Sequence, residues 1–357
     1  MSSPGHDEER ALRDAVRGLL ARHGGGEAWK RLVTEIGVAA LGIPERYGGA
    51  EAGLAAVCVV CEELGRSLTP TPLLGSAVLT AAALLASGDA ESCGRLLPGI
   101  AGGDRVAALA WAGQDGRWEP RAPAMSVDPD GRLHGTAHYV LDGDTADVLV
   151  VAAREARGVG LFEVDPARAE RTRVTTMDQT RPLATVTLSG VPGRRLAGGD
   201  HAAALAHARD VACVALAAEQ VGGAARCLEL TVAHTRQRVQ FGRPIASFQA
   251  LQHRMADLYV LVETARSAVW AAGSASAEFG LLAAVAKVQC SEAFQRVAGE
   301  MIQLHGGIAI TWEHEAHRYF KRAHGAAQLF GQPREHVGRL AETVLGPSPA
   351  APEGSDP

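Results

Sequence analysis

The run Arg236-Gln237-Arg238-Val239-Gln240-Phe241-Gly242-Arg243-Pro244-Ile245-Ala246-Ser247-Phe248-Gln249 decides the reading of this chain. It lies between two long helical patterns. Upstream, no proline interrupts Gly193 to Arg243, which predicts a helix from His201 to about Gln237, roughly 55 Å long at ~1.5 Å per residue. Downstream, Phe248, Leu251, Met255, Leu258, Val262, Ala265 and Val269 follow the 3-4-3-4 spacing of a bundle seam. Gly242 can end the first helix in a left-handed cap, Pro244 forbids its continuation, and Ser247 can cap the second. A plain helix corner explains those three residues but not Arg238, Gln240 and Gln249 crowded beside them. Guanidinium and amide groups at a helix junction suit a pyrophosphate or a nucleotide. On spacing alone, both readings are open.

Working outward, the bundle continues through a third helix bearing Val285, Val288, Phe294, Val297, Met301 and Leu304, and a fourth from Trp312 to Phe330. Between them stands Gln303-Leu304-His305-Gly306-Gly307-Ile308-Ala309-Ile310-Thr311-Trp312-Glu313. The glycine pair ends one helix and Thr311 can cap the next. The same glycines can also let backbone N–H groups approach an anion.

The rest of the chain has two other textures. Residues 1–103 read as a helical domain, rich in alanine and leucine, with turns at Gly24-Gly25-Gly26, Gly48-Gly49 and Pro70 to Pro72. Residues 104–198 lose helical periodicity. Short β-prone runs appear (Val148 to Val151, Gly160 to Val164, Arg173 to Thr176, Ala184 to Leu188), separated by turns such as Asp128-Pro129-Asp130-Gly131. This predicts an antiparallel β-domain. Residues 199–346 form the four-helix bundle, and 347–357 read as a disordered tail. The expected fold is mainly α with an inserted β-domain.

Composition narrows the function. The 357 residues are 47% hydrophobic and 21% charged, with a net charge of -5. That argues against nucleic-acid or anionic-membrane partners, which need a basic face. No apolar run reaching membrane length is read. Cys58 and Cys61 form a C-x-x-C within a helical apolar pattern and read as core residues rather than a metal or redox pair. No metal-ligand spacing is found, and a reducing cytoplasm is the expected compartment.

These segments together carry a resemblance. Gly42-Ile43-Pro44-Glu45-Arg46-Tyr47-Gly48-Gly49 with Glu62-Glu63-Leu64-Gly65-Arg66, the Arg238 to Gln249 run with Gln252 to Asp257, and Gln303 to Gly307 with Thr311 and Glu313 resemble the acyl-CoA dehydrogenase family along essentially the whole chain. The resemblance implies an N-terminal α-bundle, a middle β-barrel-like domain and a C-terminal four-helix bundle. It implies FAD, with Arg238, Phe241 and Gln249 serving the neighbouring subunit's cofactor and Gln303, Gly306 and Gly307 lining its adenosine and pyrophosphate end. It also implies an acyl-CoA substrate and a homo- or hetero-oligomer, a dimer or tetramer. The implied reaction is α,β-desaturation: a carboxylate takes the α-proton, the flavin takes a hydride, and hydrogen bonds stabilise the enolate-like charge.

The sequence departs from the family at the reacting centre. Leu109 to Gly116 lacks most of the usual flavin-facing Thr-Glu-Pro-Gly-x-Gly-Ser-Asp stretch. The usual Trp-x-Thr reads Tyr139-Val140-Leu141. Tyr139 can still stack on a flavin, but Leu141 cannot donate a hydrogen bond. The glutamate position falls at Phe330 or Gly331, and its alternative place at Ala212, beside Cys213. Glu219, two turns along that helix, is the substitute base to consider, its pKa raised by burial; Glu335 is a weaker one. Two readings follow: a flavoprotein subunit completed by a sister chain, or an autonomous flavoenzyme with a relocated base.

Overall fold

The computed structural model describes residues 4–346, so the predicted tail lies outside the described residues. Five helices come first: α1 (Pro4–Arg22), α2 (Gly25–Arg31), α3 (Gly53–Ser67), α4 (Ala81–Ser87) and α5 (Ala90–Ala101). A buried π-helical turn, Leu73–Thr80, runs directly into α4. Asp89 caps α5 by accepting the Ser92 N–H at 3.0 Å.

Eight strands follow: β1 (Ala107–Ala110), β2 (Met125–Val127), β3 (Arg132–Leu141), β4 (Val148–Glu155), β5 (Gly158–Val164), β6 (Glu170–Arg173), β7 (Leu183–Pro192) and β8 (Arg194–Arg195). They form one sheet in the order β6-β7-β3-β2-β4-β5-β8, with β1 added beside β4. Most pairs are antiparallel, as the turn clusters predict. The exceptions are β1 and β2, which both run parallel to β4. The chain has room for these crossovers because the long β3 lies between them and β4. The run Arg173 to Thr176 is not a strand. β6 stops at Arg173, and the next residues form a loop that Asp178 draws toward the bundle: its carboxylate accepts the Thr180 N–H at 2.9 Å and Arg322 Nε–H at 2.6 Å.

The C-terminal part comprises α6 (Ala202–Gln237), the two-residue strands β9 (Val239–Gln240) and β10 (Arg243–Pro244), then α7 (Gln249–Gly273), α8 (Phe279–His305), α9 (Ala316–Gln328) and α10 (Pro333–Leu345). α6 matches its expected span. It is also long and apolar enough to cross a membrane, with a hydropathy of 1.3 in its most apolar window, a length the sequence reading misses. Its apolarity serves packing: 83% of that window is buried inside the protein.

Several local expectations are corrected. Gly242 does not cap α6. It is the second residue of a two-residue hairpin turn joining β9 and β10, with φ of 54° at Phe241 and 76° at Gly242. Such turns need positive φ at both central residues. Ser247 Oγ donates to Pro244 O at 2.7 Å, and α7 starts after Phe248 with no side-chain cap. Thr311 Oγ1 donates to Ile308 O at 2.8 Å and closes the short 3-10 turn Gly306–Ile310, while α9 begins only at Ala316. The α7 seam packs within the chain, as a bundle seam should: Leu258, Val262, Ala265 and Val269 are all buried here.

The N-terminal helices join the bundle where α3 crosses α6. A Cβ on Gly65 would stand 1.9 Å from the Glu219 carbonyl oxygen, and one on Gly222 would stand 1.8 Å from that of Glu62. Only glycine lets the two backbones meet this closely. One apolar core extends from these helices through α6 and α8 to one face of the sheet; a second lies on the sheet's other face and a third between α6, α7, α8 and α9. Cys58 and Cys61 belong to the first, and all six cysteines are free and buried.

Candidate active site

A cleft opens where the sheet meets α9. It encloses about 280 Å³ between Trp118, Tyr139, Met177 and Leu183 on one side and Gly325, Gln328 and Leu329 on the other. Its walls are mostly apolar, with Asp115, Thr176 and Gln332 supplying polar edges. Tyr139 reaches it from a register shift in β3, where φ is 56°. The Tyr139 hydroxyl donates to Gln114 O at 3.1 Å, which fixes the ring at the rim. Leu141, two residues on, is buried and faces a separate small cavity beside Gly75 and Asp142.

Behind the cleft lies a buried ion network. Arg181 and Arg322 both donate to Glu219 Oε1, and Arg322 also donates to Thr180 Oγ1 at 2.6 Å. Three parts of the chain meet here: the loop before β7 (Asp178, Thr180, Arg181), α6 (Glu219) and α9 (Arg322). Burial pushes the Glu219 carboxyl up, but the two guanidinium groups outweigh it and hold it below the ordinary glutamate range. The expectation that burial raises Glu219 into the range of a general base is therefore corrected: it is an ionised partner with both arginines on one oxygen. Arg181 Nε is buried without a hydrogen-bond partner among the described residues.

The positions expected for the base, Phe330 or Gly331, carry no carboxylate. Phe330 is fully buried, its ring 5.0 Å from Trp118 and perpendicular to it, and Trp118 in turn lies 5.6 Å from Trp111. The alternative position is beside it: Cys213 Sγ lies 3.9 Å from Phe330 O, next to the buried Ala212. His336 Nε2 sits 3.0 Å from Phe330 O. Burial lowers the His336 pKa to about 3, so the ring is neutral and donates there. Glu335 is exposed on α10, at the mouth of a second cavity outside Phe330. Lys287, fully buried, donates to Ala326 O at 2.9 Å and Ala327 O at 3.2 Å, tying down the end of α9 that carries this turn.

The other expected site residues form a separate group. His234 of α6 stacks on His305 of α8 with ring centroids 4.3 Å apart. This brings the Arg238, Phe241 and Gln249 corner to the same end of the bundle as Gln303, Gly306 and Gly307. All six are exposed, Phe241 by 90%. The structure thus brings six of the seven expected cofactor residues to one exposed corner, and sets Tyr139 in the cleft. Arg181, Asp178, Arg322 and Trp118 go unread in the sequence. Only the Asx-turn spelling of Asp178 and Thr180 hints at them.

An α–β–α chain with a cleft between its sheet and its bundle, and a polar corner at the bundle's end, has the architecture of the acyl-CoA flavoenzymes. The comparisons place it among them. The acyl-CoA dehydrogenase N-terminal domain matches residues 6–104, and the acyl-CoA dehydrogenase C-terminal domain matches residues 203–345. A relative named acyl-CoA dehydrogenase IpdE2 in Mycolicibacterium smegmatis is 41% identical over 95% of this chain and 99% of its own; the protein of that name in Mycobacterium tuberculosis is also 41% identical, over 95% and 98%. Among solved structures, a Tcur3481–Tcur3483 steroid ACAD variant aligns with a TM-score of 0.85 at 32% identity, covering 95% of this chain and 98% of its own. The ChsE4–ChsE5 complex of Mycobacterium tuberculosis aligns at 0.86 and 27%, covering 98% and 99%. The chain belongs to the acyl-CoA dehydrogenase family, whose members are FAD-dependent oxidoreductases.

Proposed function

We propose that this chain is a subunit of a heteromeric acyl-CoA dehydrogenase that shares FAD with a sister chain, and that the sister supplies the catalytic base. The observation that carries this is Phe330. The resemblance puts the family's glutamate at Phe330 or Gly331, a buried aromatic ring packed on Trp118 and a glycine; neither can accept a proton, and the neighbouring Ala212 offers no substitute. Glu219, locked between two arginines, cannot replace it. Two structural relatives bear names that describe two-component assemblies, Tcur3481–Tcur3483 and ChsE4–ChsE5. The name of the first describes it as a steroid ACAD, which favours a bulky acyl-CoA as the substrate class.

FAD fits the donor set. The cleft offers mostly apolar walls for a flat ring, with the Tyr139 ring held at its rim. The corner offers Arg238 for a phosphate and Gly306 and Gly307 for close backbone approach. When bound, FAD supplies the hydride acceptor of the desaturation. This chain's residues do the rest of what is assigned to it. Arg238, Phe241, Gln249 and Gln303 hold the neighbour's cofactor, Tyr139 walls the chain's own cleft, and Phe330 with Trp118 keeps water from the space where a base would stand.

The test is purification of the chain alone and with a sister subunit carrying the glutamate. The proposal expects little turnover of bulky acyl-CoA thioesters with a dye acceptor by the chain alone, and restored turnover in the complex. Robust turnover by the chain alone would favour the autonomous reading.

A further inference from the structure

The cavity outside Phe330 encloses about 420 Å³ and backs onto the cleft. Trp118 borders both spaces; along the turn after α9, Leu329 and Gln332 border the cleft, while Phe330 and Gly331 border this cavity. Four arginines also border it: Arg117, Arg209, Arg334 and Arg339. Two carboxylates, Glu119 and Glu335, stand there too, but among the described residues neither forms an ion pair with those arginines. Arg209 and Arg339 share a single carboxylate, that of the buried Asp210. Arg339 uses both its ends: Nη2 donates to the two Asp210 oxygens at 3.0 and 3.1 Å, and Nη1 to His336 Nδ1 at 3.1 Å. Arg209 reaches Asp210 only through Nε–H, at 3.3 Å from Oδ1. Its two terminal amino groups find no partner among the described residues, and neither is sealed from solvent. The side chain is nonetheless recessed at the cavity wall, only 12% exposed. One carboxylate between two recessed guanidinium groups leaves a positive charge uncompensated, which is costly where water is scarce. The field reaches His336, whose protonation is opposed by burial first and then by Lys287, Arg339 and Arg209.

We propose that this cavity is an oxyanion-binding site, in which the free fork of the recessed Arg209 and the exposed Arg334 hold the carboxylate or phosphate group of a small molecule. The proposal goes beyond the shared-cofactor reading and does not rest on it. Two N–H groups on one planar guanidinium match two oxygens of a carboxylate or phosphate. The Nε–H bond to Asp210 holds that fork in place, so less freedom is lost when an anion binds. Trp118 and Phe330 offer an apolar flank to whatever carries the anionic group. The volume lies within the range of small-molecule sites, roughly 300–1,000 Å³. Phe330 and Gly331 can accept no proton, so this wall holds the anion without acting on it. The oxyanion can come from a free acid or phosphate, or from the charged end of a larger ligand such as coenzyme A.

The experiment titrates the full chain, alone and with its sister, by calorimetry. The probes are inorganic phosphate, glutarate, coenzyme A and the uncharged pantetheine. Wild type is compared with R209Q, R209K, R334Q and R157Q; Arg157 is exposed on the turn between β4 and β5, does not border the cavity and serves as the charge control. At least one of the three anions is expected to bind the wild type. R209Q is expected to weaken it roughly ten- to a hundredfold, R334Q severalfold and R157Q not at all. R209K keeps the charge but loses the fork, so it falls between wild type and R209Q. If R209Q does not fold, R209K and the exposed R334Q carry the test. Arg209-dependent binding of phosphate or glutarate identifies a free anion as the ligand. Arg209-dependent binding of coenzyme A, with no binding of the small anions or of pantetheine, identifies the phosphate end of a larger one. The proposal is overturned if no anion binds the wild type at millimolar concentration, if the Arg209 and Arg334 variants bind as well as the wild type, or if R157Q loses as much as R209Q. Arg209 is then a hydrated side chain that shares Asp210 with Arg339 and nothing more.

Discussion

Glu219 and Phe330 carry the argument at the scale of single residues. Glu219→Gln removes the one carboxylate shared by two buried guanidinium groups, and breaking such a pair costs about 3–5 kcal/mol. We expect a large drop in denaturation midpoint. Unchanged stability with abolished turnover would instead make Glu219 a base. His336 supplies a pH signature. Its folded pKa of about 3 lies below the ordinary histidine value, so the unfolded chain binds a proton that the folded chain refuses. Stability contributed by the neutral ring is present above about pH 6.5 and is lost as pH falls toward 3. Urea titrations of wild type and His336→Gln should diverge by about 1.4 kcal/mol per pH unit between pH 6.5 and 4, with the wild type the steeper. Asp142 works in the opposite sense across this window, burial having raised it to about 7, so the difference between the two proteins is the quantity to read. Parallel slopes would show that His336 is protonated in the fold. At this scale the sequence was legible where a residue type is informative by itself. Arg238 and Gln303 stood out as polar groups at expected helix ends, and both are exposed at the end of the bundle. Arg181, Asp178 and Arg322 did not, since ion pairs spanning 38 to 144 positions leave no periodicity in the chain.

Elements were legible in proportion to their length. α6 and α7 declared themselves through proline-free runs and a 3-4-3-4 seam, because a long helix must keep one face apolar. The corner between them was placed correctly but given the wrong turn: a glycine at positive φ serves a helix cap and a hairpin equally well. The parallel pairings of β1 and β2 were missed because strand direction depends on what lies beside the strand. The α3–α6 crossing was missed for a similar reason, since nothing in Gly65 or Gly222 says which backbone approaches them. It gives a sharp prediction. Gly222→Ala must push α3 from α6 and should cost at least ~1–3 kcal/mol. Gly338→Ala on α10, where an added Cβ meets nothing within 4 Å, should stabilise by up to ~1 kcal/mol. Thermal melts of the two variants check the pair; equal melting temperatures would mean that the crossing is looser than described.

The whole molecule presents surfaces that a lone chain leaves uncovered. Phe241, Ile310 and Trp312 stand out from the end of the bundle, and Tyr259, Val260 and Trp270 from the outer side of α7. With the α7 seam buried internally, these side chains are among the exposed apolar groups that remain for subunit contact. Sedimentation at micromolar concentration is expected to show a dimer or tetramer, formed with the sister chain when both are present; a monodisperse monomer under both conditions would contradict it. Anaerobic reduction by substrate shows where the base resides. An acyl-CoA of the bulky class is added to three samples: this chain with FAD, its complex with the sister, and the complex whose sister glutamate is changed to glutamine. Bleaching of the flavin absorbance is expected in the intact complex only. Rapid bleaching in the chain alone, or in the complex without the sister's glutamate, would contradict it.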